Sequence, residues 1–226
     1  MRTPPPTSED ELLERAKALA GLTIAHVAES YEIDLPANTL RAKGWIGVLM
    51  EAALGATAAS KPEPDFQLIG VEMKTLPVDA QGKPRESTYV CTVPLINRGA
   101  IEWETSNVRT KLNRVLWVPI ESDQTIEFSD RRIGTPLIWS PSLREDAELC
   151  ADWKELMDMV CLGELEQITA HHGTWLQIRP KAANSHSRRL GIDDTGAPAP
   201  TMPRGFYLRT GFTHRILREN YLVLRS

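Results

Sequence analysis

Asp65-Phe-Gln-Leu-Ile-Gly-Val-Glu72-Met-Lys74 is the stretch whose pattern decides how this chain is read. An acid is followed seven residues on by a second acid, and two residues later by a lysine. From Leu68 to Thr75 apolar and charged positions alternate, Val71 and Met73 against Glu72 and Lys74. A period of two predicts a strand, here over 66–75, with one buried face. Glu72 and Lys74 then leave the strand on the same side. Glu63-Pro-Asp65 predicts a loop just before it, which lets Asp65 fold back beside Glu72. Two carboxylates converging on one point suit a hard divalent ion such as Mg²⁺, which takes oxygen ligands. A lysine beside that ion meets the negative charge of a phosphate. These are the parts needed to hydrolyse a phosphodiester. The spacing alone is weak evidence, because an exposed edge strand with solvated charges also shows it. Its setting strengthens it: Leu68, Ile69, Val71 and Met73 are apolar, and Pro and Gly flank the run.

A third acid stands upstream. Ile46, Val48, Leu49, Met50 and Leu54 make Gly44–Leu54 apolar on nearly all sides, which predicts a buried helix with Gly55 as its C-cap. Glu51 lies inside it. A carboxylate so placed must be paired or bind something. It either makes an ordinary helix-edge pair or joins the acids of the strand, orienting the attacking water or holding a second cation.

The bulk numbers set the frame. A chain of 226 residues fits one large domain or two small lobes, and 42% apolar with 25% charged residues is ordinary for a globular protein. No apolar run approaches the roughly 20 residues needed to span a bilayer, and Met1 to Glu11 lacks a basic-then-apolar leader. Both point to the cytoplasm. Three cysteines, Cys91, Cys150 and Cys161, without a CxxC pair argue against a disulfide framework or zinc site and are expected as buried free thiols. The net charge of −4 hides an asymmetry. From Arg179 to Ser226 nine Lys/Arg face three acids, a net of +6 that leaves −10 on residues 1–178. A local basic segment binds a phosphate backbone even on an anionic protein; scattered solvated arginines give the same tally.

The remaining pattern predicts mixed helices and strands, an α/β class with a mixed α+β sheet. Residues 1–7 read as Pro-rich and disordered. Ser8 to Glu11 has capping-box spacing and opens a helix ending near Gly21. Further helices are expected at 24–29, 104–114, 142–162, 164–170 and 212–220. Strands are expected at 87–95, 114–120, 136–140, 174–179 and 205–208, with Gly82-Lys-Pro turning between the first two strands. Residues 182–203 read as a long loop. Arg179-Pro-Lys181 and Arg204-Gly-Phe-Tyr207 combine cations with an aromatic at strand ends. Arg and Lys read guanine N7 and O6 in the major groove, but contact phosphate equally well. No Gly-rich phosphate loop, GxSxG or HExxH spacing is present.

Set side by side, several segments resemble the MutH family of DNA mismatch-repair endonucleases. They are Lys43-Gly-Trp-Ile-Gly-Val-Leu-Met-Glu51, Ser60-Lys-Pro-Glu-Pro-Asp65, Gly70-Val-Glu-Met-Lys-Thr75, Trp103-Glu-Thr-Ser106, Lys111-Leu-Asn-Arg-Val-Leu-Trp117, Ile178-Arg-Pro-Lys-Ala-Ala-Asn184 and Pro203-Arg-Gly-Phe-Tyr-Leu208. They run in order from about residue 8 to the C-terminus. The resemblance implies a restriction-endonuclease-like fold in two lobes flanking a DNA cleft, a catalytic lobe over about 8–120 and a recognition lobe over about 121–226. It implies Mg²⁺-dependent nicking of the unmethylated strand at hemimethylated GATC by a monomer, stimulated by MutL, with Mn²⁺ or Ca²⁺ as substitute ions. On the matched positions Asp65, Glu72 and the main-chain carbonyl of Met73 would be metal ligands, and Glu51 would complete the acidic set. Lys74 would position the attacking water, and Lys111 would sit near the scissile phosphate. Lys43 and Glu86 would lie near the site, Tyr89 at the DNA surface, and Arg179, Lys181 and Tyr207 on the GATC bases. A related restriction enzyme cutting both strands and an inert GATC-binding module are the alternatives.

Overall fold

The computed structural model describes residues 3–37, 42–58, 63–96, 101–181, 189–192, 195 and 197–223. The chain divides into two compact units that interleave in sequence. The first comprises Met1–Glu86, Asn113–Ser140 and His214–Ser226; the second comprises Ser87–Leu112 and Pro141–Thr213. This division differs from the contiguous one expected near residue 120. The reason is strand pairing: Glu72–Val78 (β1) runs parallel to Val115–Glu121 (β3), and parallel neighbours need a long crossover. That crossover contains Thr88–Thr92 (β2) and Asn107–Leu112 (α4), which belong to the second unit.

In the first unit Glu9–Ala18 (α1), Ile24–Ser30 (α2) and Ala42–Leu54 (α3) join a sheet ordered β1-β3-β4, with Leu137–Trp139 (β4) antiparallel to β3. Ser8 caps α1 by accepting the Glu11 amide, as its spacing predicts. Leu12, Leu49, Met50, Phe66, Val71 and Leu116 fill the core. The Pro-rich start is not loose: Thr7 donates to the Glu11 carboxylate at 2.7 Å, and Arg15 donates to the Pro4 carbonyl at 2.7 Å. Gly55 ends α3 at φ +82°, and a Cβ there would stand 2.4 Å from the Pro4 carbonyl oxygen. Glycine thus satisfies both the left-handed cap and the close approach of the N-terminal strand of chain. The helix α3 is less enclosed than its composition suggests, since Val48 is 57% exposed.

The second unit is built on a sheet ordered β2-β8-β5, where β8 is Arg204–Leu208 and β5 is Leu176–Pro180. The long helix Leu143–Cys161 (α5) packs on β5 and buries Leu149, Trp153, Leu156, Met157 and Val160. A full capping box, Ser142 with Glu145, starts it. Strands β1 and β2 therefore do not form a hairpin; each finds its partner elsewhere. The helix expected over 164–170 shrinks to one 3-10 turn, Leu165–Gln167. The expected loop at 182–203 contains an antiparallel pair, Arg189–Ile192 (β6) with Pro198–Thr201 (β7). The helix Thr210–Val223 (α6) closes the description. The cysteines form no disulfide, but Cys91 and Cys150 are half-buried and Cys161 is exposed, so they are not the buried thiols expected. No helix among the described residues is long and apolar enough to cross a membrane.

Candidate functional site

The strand carrying Glu72 begins later than its alternation suggests. Phe66 and Val71 exchange backbone hydrogen bonds of 2.9 and 3.3 Å across a tight turn, with Gly70 at φ +66°. Leu68, at the turn, is 73% exposed. The turn has a use: it reverses the chain so that Asp65 comes back to the start of β1. There Asp65 Oδ2 accepts the Met73 amide at 2.9 Å. The Asp65 carbonyl in turn accepts the amides of Thr57 at 2.9 Å and Ala58 at 3.3 Å, which ties the acid to the segment leaving α3.

Glu72 and Lys74, two positions apart, meet on one face of β1 as a direct ion pair between Nζ and Oε1. The Glu72 side chain is 2% exposed and that of Lys74 is 15% exposed. A carboxylate so deeply placed needs a cation beside it, and here a neighbour on its own strand supplies one. Asp65 thus meets the Met73 peptide, and Glu72, the residue before Met73, meets Lys74.

Glu51 lies half-buried on α3, which packs against β1. Among the described residues, however, no group of three or more His, Cys, Asp and Glu side chains is gathered to hold a metal ion. Lys43 falls in α3, and its side chain lies outside the described residues. Glu86 is half-buried at the last position before the second unit. Lys111, in α4 of the second unit, is buried.

The second unit gathers the expected DNA-reading residues on one sheet face. Register sets Tyr89 opposite Tyr207 across β2 and β8, and Arg179 opposite Gly205 across β8 and β5. Alternation turns Phe206, Leu208, Leu176 and Ile178 into the core, leaving Tyr207 and Arg179 on the other face. The Tyr89 and Tyr207 rings meet edge to face at 5.4 Å. Lys181 Nζ lies 3.2 Å from the centroid of Tyr89, and Arg179 Cζ lies 5.8 Å from that of Tyr207. Burial pushes the Tyr207 phenol above its ordinary pKa; Tyr89 adds to the rise and Arg179 opposes it. The hydroxyl therefore stays protonated at neutral pH and can donate a hydrogen bond.

Several supporting residues escaped the sequence. Ser87 Oγ accepts from Arg179 Nη1 at 2.7 Å, and the Tyr89 hydroxyl lies 3.0 Å from Thr92 Oγ1. Asp152 of α5, only 6% exposed, accepts the amides of Thr174, Trp175 and Leu176 at 2.8, 2.6 and 2.8 Å. It fixes the entry to β5. Nothing local marks Ser87 or Asp152, because each acts on a partner far away in sequence, whereas Thr92 meets a ring three positions before it. The basic tail also looks different once folded. Arg204 pairs with Glu166 at 2.6 Å, and Arg209 donates to the carbonyls of Ala170 and His172. Those two cations bind the protein itself.

The model of the family described as the DNA mismatch repair enzyme MutH matches residues 54–152. Over 219 residues, 97% of this chain, the sequence is 52% identical to the DNA mismatch repair protein MutH of Enterobacter sp. (strain 638), covering 95% of that protein. It is 52% identical over 219 residues to the protein of that name from Salmonella paratyphi C (strain RKS4594), with the same shares covered. It is also 52% identical over 221 residues to that from Pectobacterium atrosepticum, covering 98% of this chain and 96% of the relative. The mixed α/β architecture agrees with the restriction-endonuclease-like fold that the motifs implied. Identity at every second position over nearly the full length, and not the short acid–acid–lysine spacing alone, establishes that the chain belongs to the MutH family of DNA mismatch repair enzymes.

Proposed function

We propose that this DNA mismatch-repair endonuclease nicks the unmethylated strand of duplex DNA at hemimethylated GATC sites, as a monomer, with Mg²⁺ as cofactor and MutL as activator. The observation that carries the reading is the joining of Asp65 to the Met73 amide beside the buried Glu72–Lys74 pair. Asp65, Glu72 and the Met73 main-chain carbonyl would hold the ion. Their donors are all hard oxygens, which fits Mg²⁺ and its substitutes Mn²⁺ and Ca²⁺. When bound, the ion supplies positive charge against the phosphoryl oxygens and lowers the pKa of water.

The chain's own residues do the rest. Lys74 places its Nζ against Glu72 at the edge of the acid pair, where it can hold the attacking water and offset charge on the scissile phosphate. Glu51 and Lys111 assist at the water and at the phosphate, and Lys43 and Glu86 flank them. Arg179 and Lys181 offer donors to guanine N7 and O6, and Tyr207 adds a protonated hydroxyl. Tyr89 presents its ring to the DNA surface. Methylation replaces one hydrogen on adenine N6; a recognition face fitted closely to that amino group excludes the methyl by contact. One catalytic set per chain favours one cut per binding event. A partner that favours the cutting-competent state raises the rate without touching the chemistry.

The test is supercoiled plasmid carrying unmethylated, hemimethylated or fully methylated GATC, with Mg²⁺, with and without MutL, beside Lys74→Ala. Nicked circles from the first two substrates, more with MutL and none from the variant, are expected. Linear product would replace the reading with a restriction enzyme that cuts both strands. Binding without cleavage under every condition would leave an inert module.

A further inference from the structure

Beside the sheet β2-β8-β5 a buried hydroxyl holds one of the cations expected to read bases. Ser87 opens the second unit, one residue before β2, and is 8% exposed. Its Oγ accepts from Arg179 Nη1 at 2.7 Å, across 92 positions of sequence. Arg179 itself is exposed on β5, so its guanidinium has a wide range of rotamers open to it. Fixing one nitrogen of a planar fork fixes the direction of the others. The Tyr207 ring on the adjacent strand bounds the same guanidinium at 5.8 Å. The ring in turn is kept in place by an empty position. A Cβ at Gly205 would stand 2.8 Å from Tyr89 Cε2 and 3.1 Å from Tyr207 Cε2, so both rings lie over the glycine opposite Arg179.

We infer that Ser87 is a positioning residue for sequence reading: its buried hydroxyl orients the Arg179 guanidinium toward the base edge before DNA arrives. The inference rests on the proposed role of Arg179 in reading GATC. Bidentate recognition of a base needs both donors in one plane at one angle, and an arginine free to rotate contacts phosphate as readily as bases. Losing Ser87 should therefore cost discrimination more than affinity. A hydrogen bond of ordinary net strength makes the expected loss about five- to tenfold.

The experiment measures kcat/KM on hemimethylated plasmid with a GATC site and with the same site altered at one base pair, for wild type, Ser87→Ala, Ser87→Thr and Arg179→Ala. The expected result is a cognate-to-altered ratio lowered about five- to tenfold in Ser87→Ala, retained in Ser87→Thr, and lowered further in Arg179→Ala, with the rate on the altered site unchanged in Ser87→Ala. If Ser87→Ala lowers both rates equally, or leaves the ratio intact while Arg179→Ala collapses it, Ser87 has no positioning role and the reading by Arg179 stands. If Arg179→Ala leaves the ratio intact, the underlying assignment fails and the inference fails with it.

Discussion

The cluster on β1 and the cluster on β2-β8-β5 solve opposite problems. The first buries charge. Asp65 and Glu72 are 8% and 2% exposed, and each is answered by a neighbour within ten residues, the Met73 amide or the Lys74 ammonium. The second displays charge. Arg179 and Lys181 are exposed and rest against tyrosine rings contributed by two other strands. The chemistry proposed for the first cluster needs groups held in one place as substrate comes and goes, which a short stretch of buried backbone provides. Recognition needs donors left facing solvent yet held in direction, and only packing between distant strands provides that.

The largest effect should come from breaking the first cluster without disturbing the second. Asp65→Asn keeps an oxygen for the Met73 amide but removes the charge. A divalent ion contributes several kcal/mol of transition-state stabilisation, so nicking should fall about 10³-fold. DNA affinity in a gel-shift assay and the melting temperature should hold. A parallel loss of binding would mean that the two clusters are not separable. Next comes the anchor of the recognition sheet. Asp152→Ala strands three amides at the entry to β5; stability should drop by about 3 kcal/mol, read from the urea midpoint, with Asp152→Asn recovering part of it. An unchanged midpoint would show that β5 is held by its sheet partners alone.

Smaller again is Gly205→Ala, which pushes a methyl into Tyr89 and Tyr207. Overpacking of this kind should lower cognate kcat/KM about tenfold while leaving Asp65, Glu72 and Lys74 untouched. Equal kinetics would mean that the rings yield without consequence. The smallest effect lies outside both clusters. Burial lifts the Tyr221 phenol to about 12, and its hydroxyl donates to the Thr135 carbonyl. The folded protein thus holds a proton that the unfolded chain, at about 10, gives up. That contribution is full below pH 10 and fades as pH rises toward 12. Tyr221→Phe should flatten the fall in stability over that window, measured by thermal melts. A curve unchanged in shape would remove Tyr221 from the alkaline behaviour.

How much of this was legible follows the same contrast. Asp65, Glu72 and Lys74 could be read because a turn and a strand put them together within ten residues, with Pro and Gly marking the turn. The start of β1 was misplaced because Leu68 and Ile69 continue the apolar alternation into a turn that Gly70, at φ +66°, actually closes. Arg179 and Tyr207 stood out as a cation and an aromatic at strand ends, but only the family motifs gave them a role on bases rather than phosphates. The roles of Ser87, Gly205 and Asp152 could not be found at all, since their partners come from folding: Arg179 on β5 for Ser87, the Tyr89 and Tyr207 rings for Gly205, and the amides entering β5 for Asp152. The arginine-rich tail misled for a related reason: a sum of charges does not know that Arg204 faces Glu166 or that Arg209 fastens two carbonyls.

The interleaving of the units carries a consequence for how the protein is made. A ribosome that has released residues 1–86 has delivered α1, α2, α3 and β1, but the parallel neighbour of β1 comes only with 115–121. The last segment of that same unit is 214–226. Until residues 115–121 have been made the acid-bearing strand lacks its parallel partner, and an unpaired edge invites pairing with the wrong chain. No cut in the sequence yields either unit as a continuous piece, so a fragment that ends before residue 115 carries Asp65, Glu72 and Lys74 on a strand with that edge exposed.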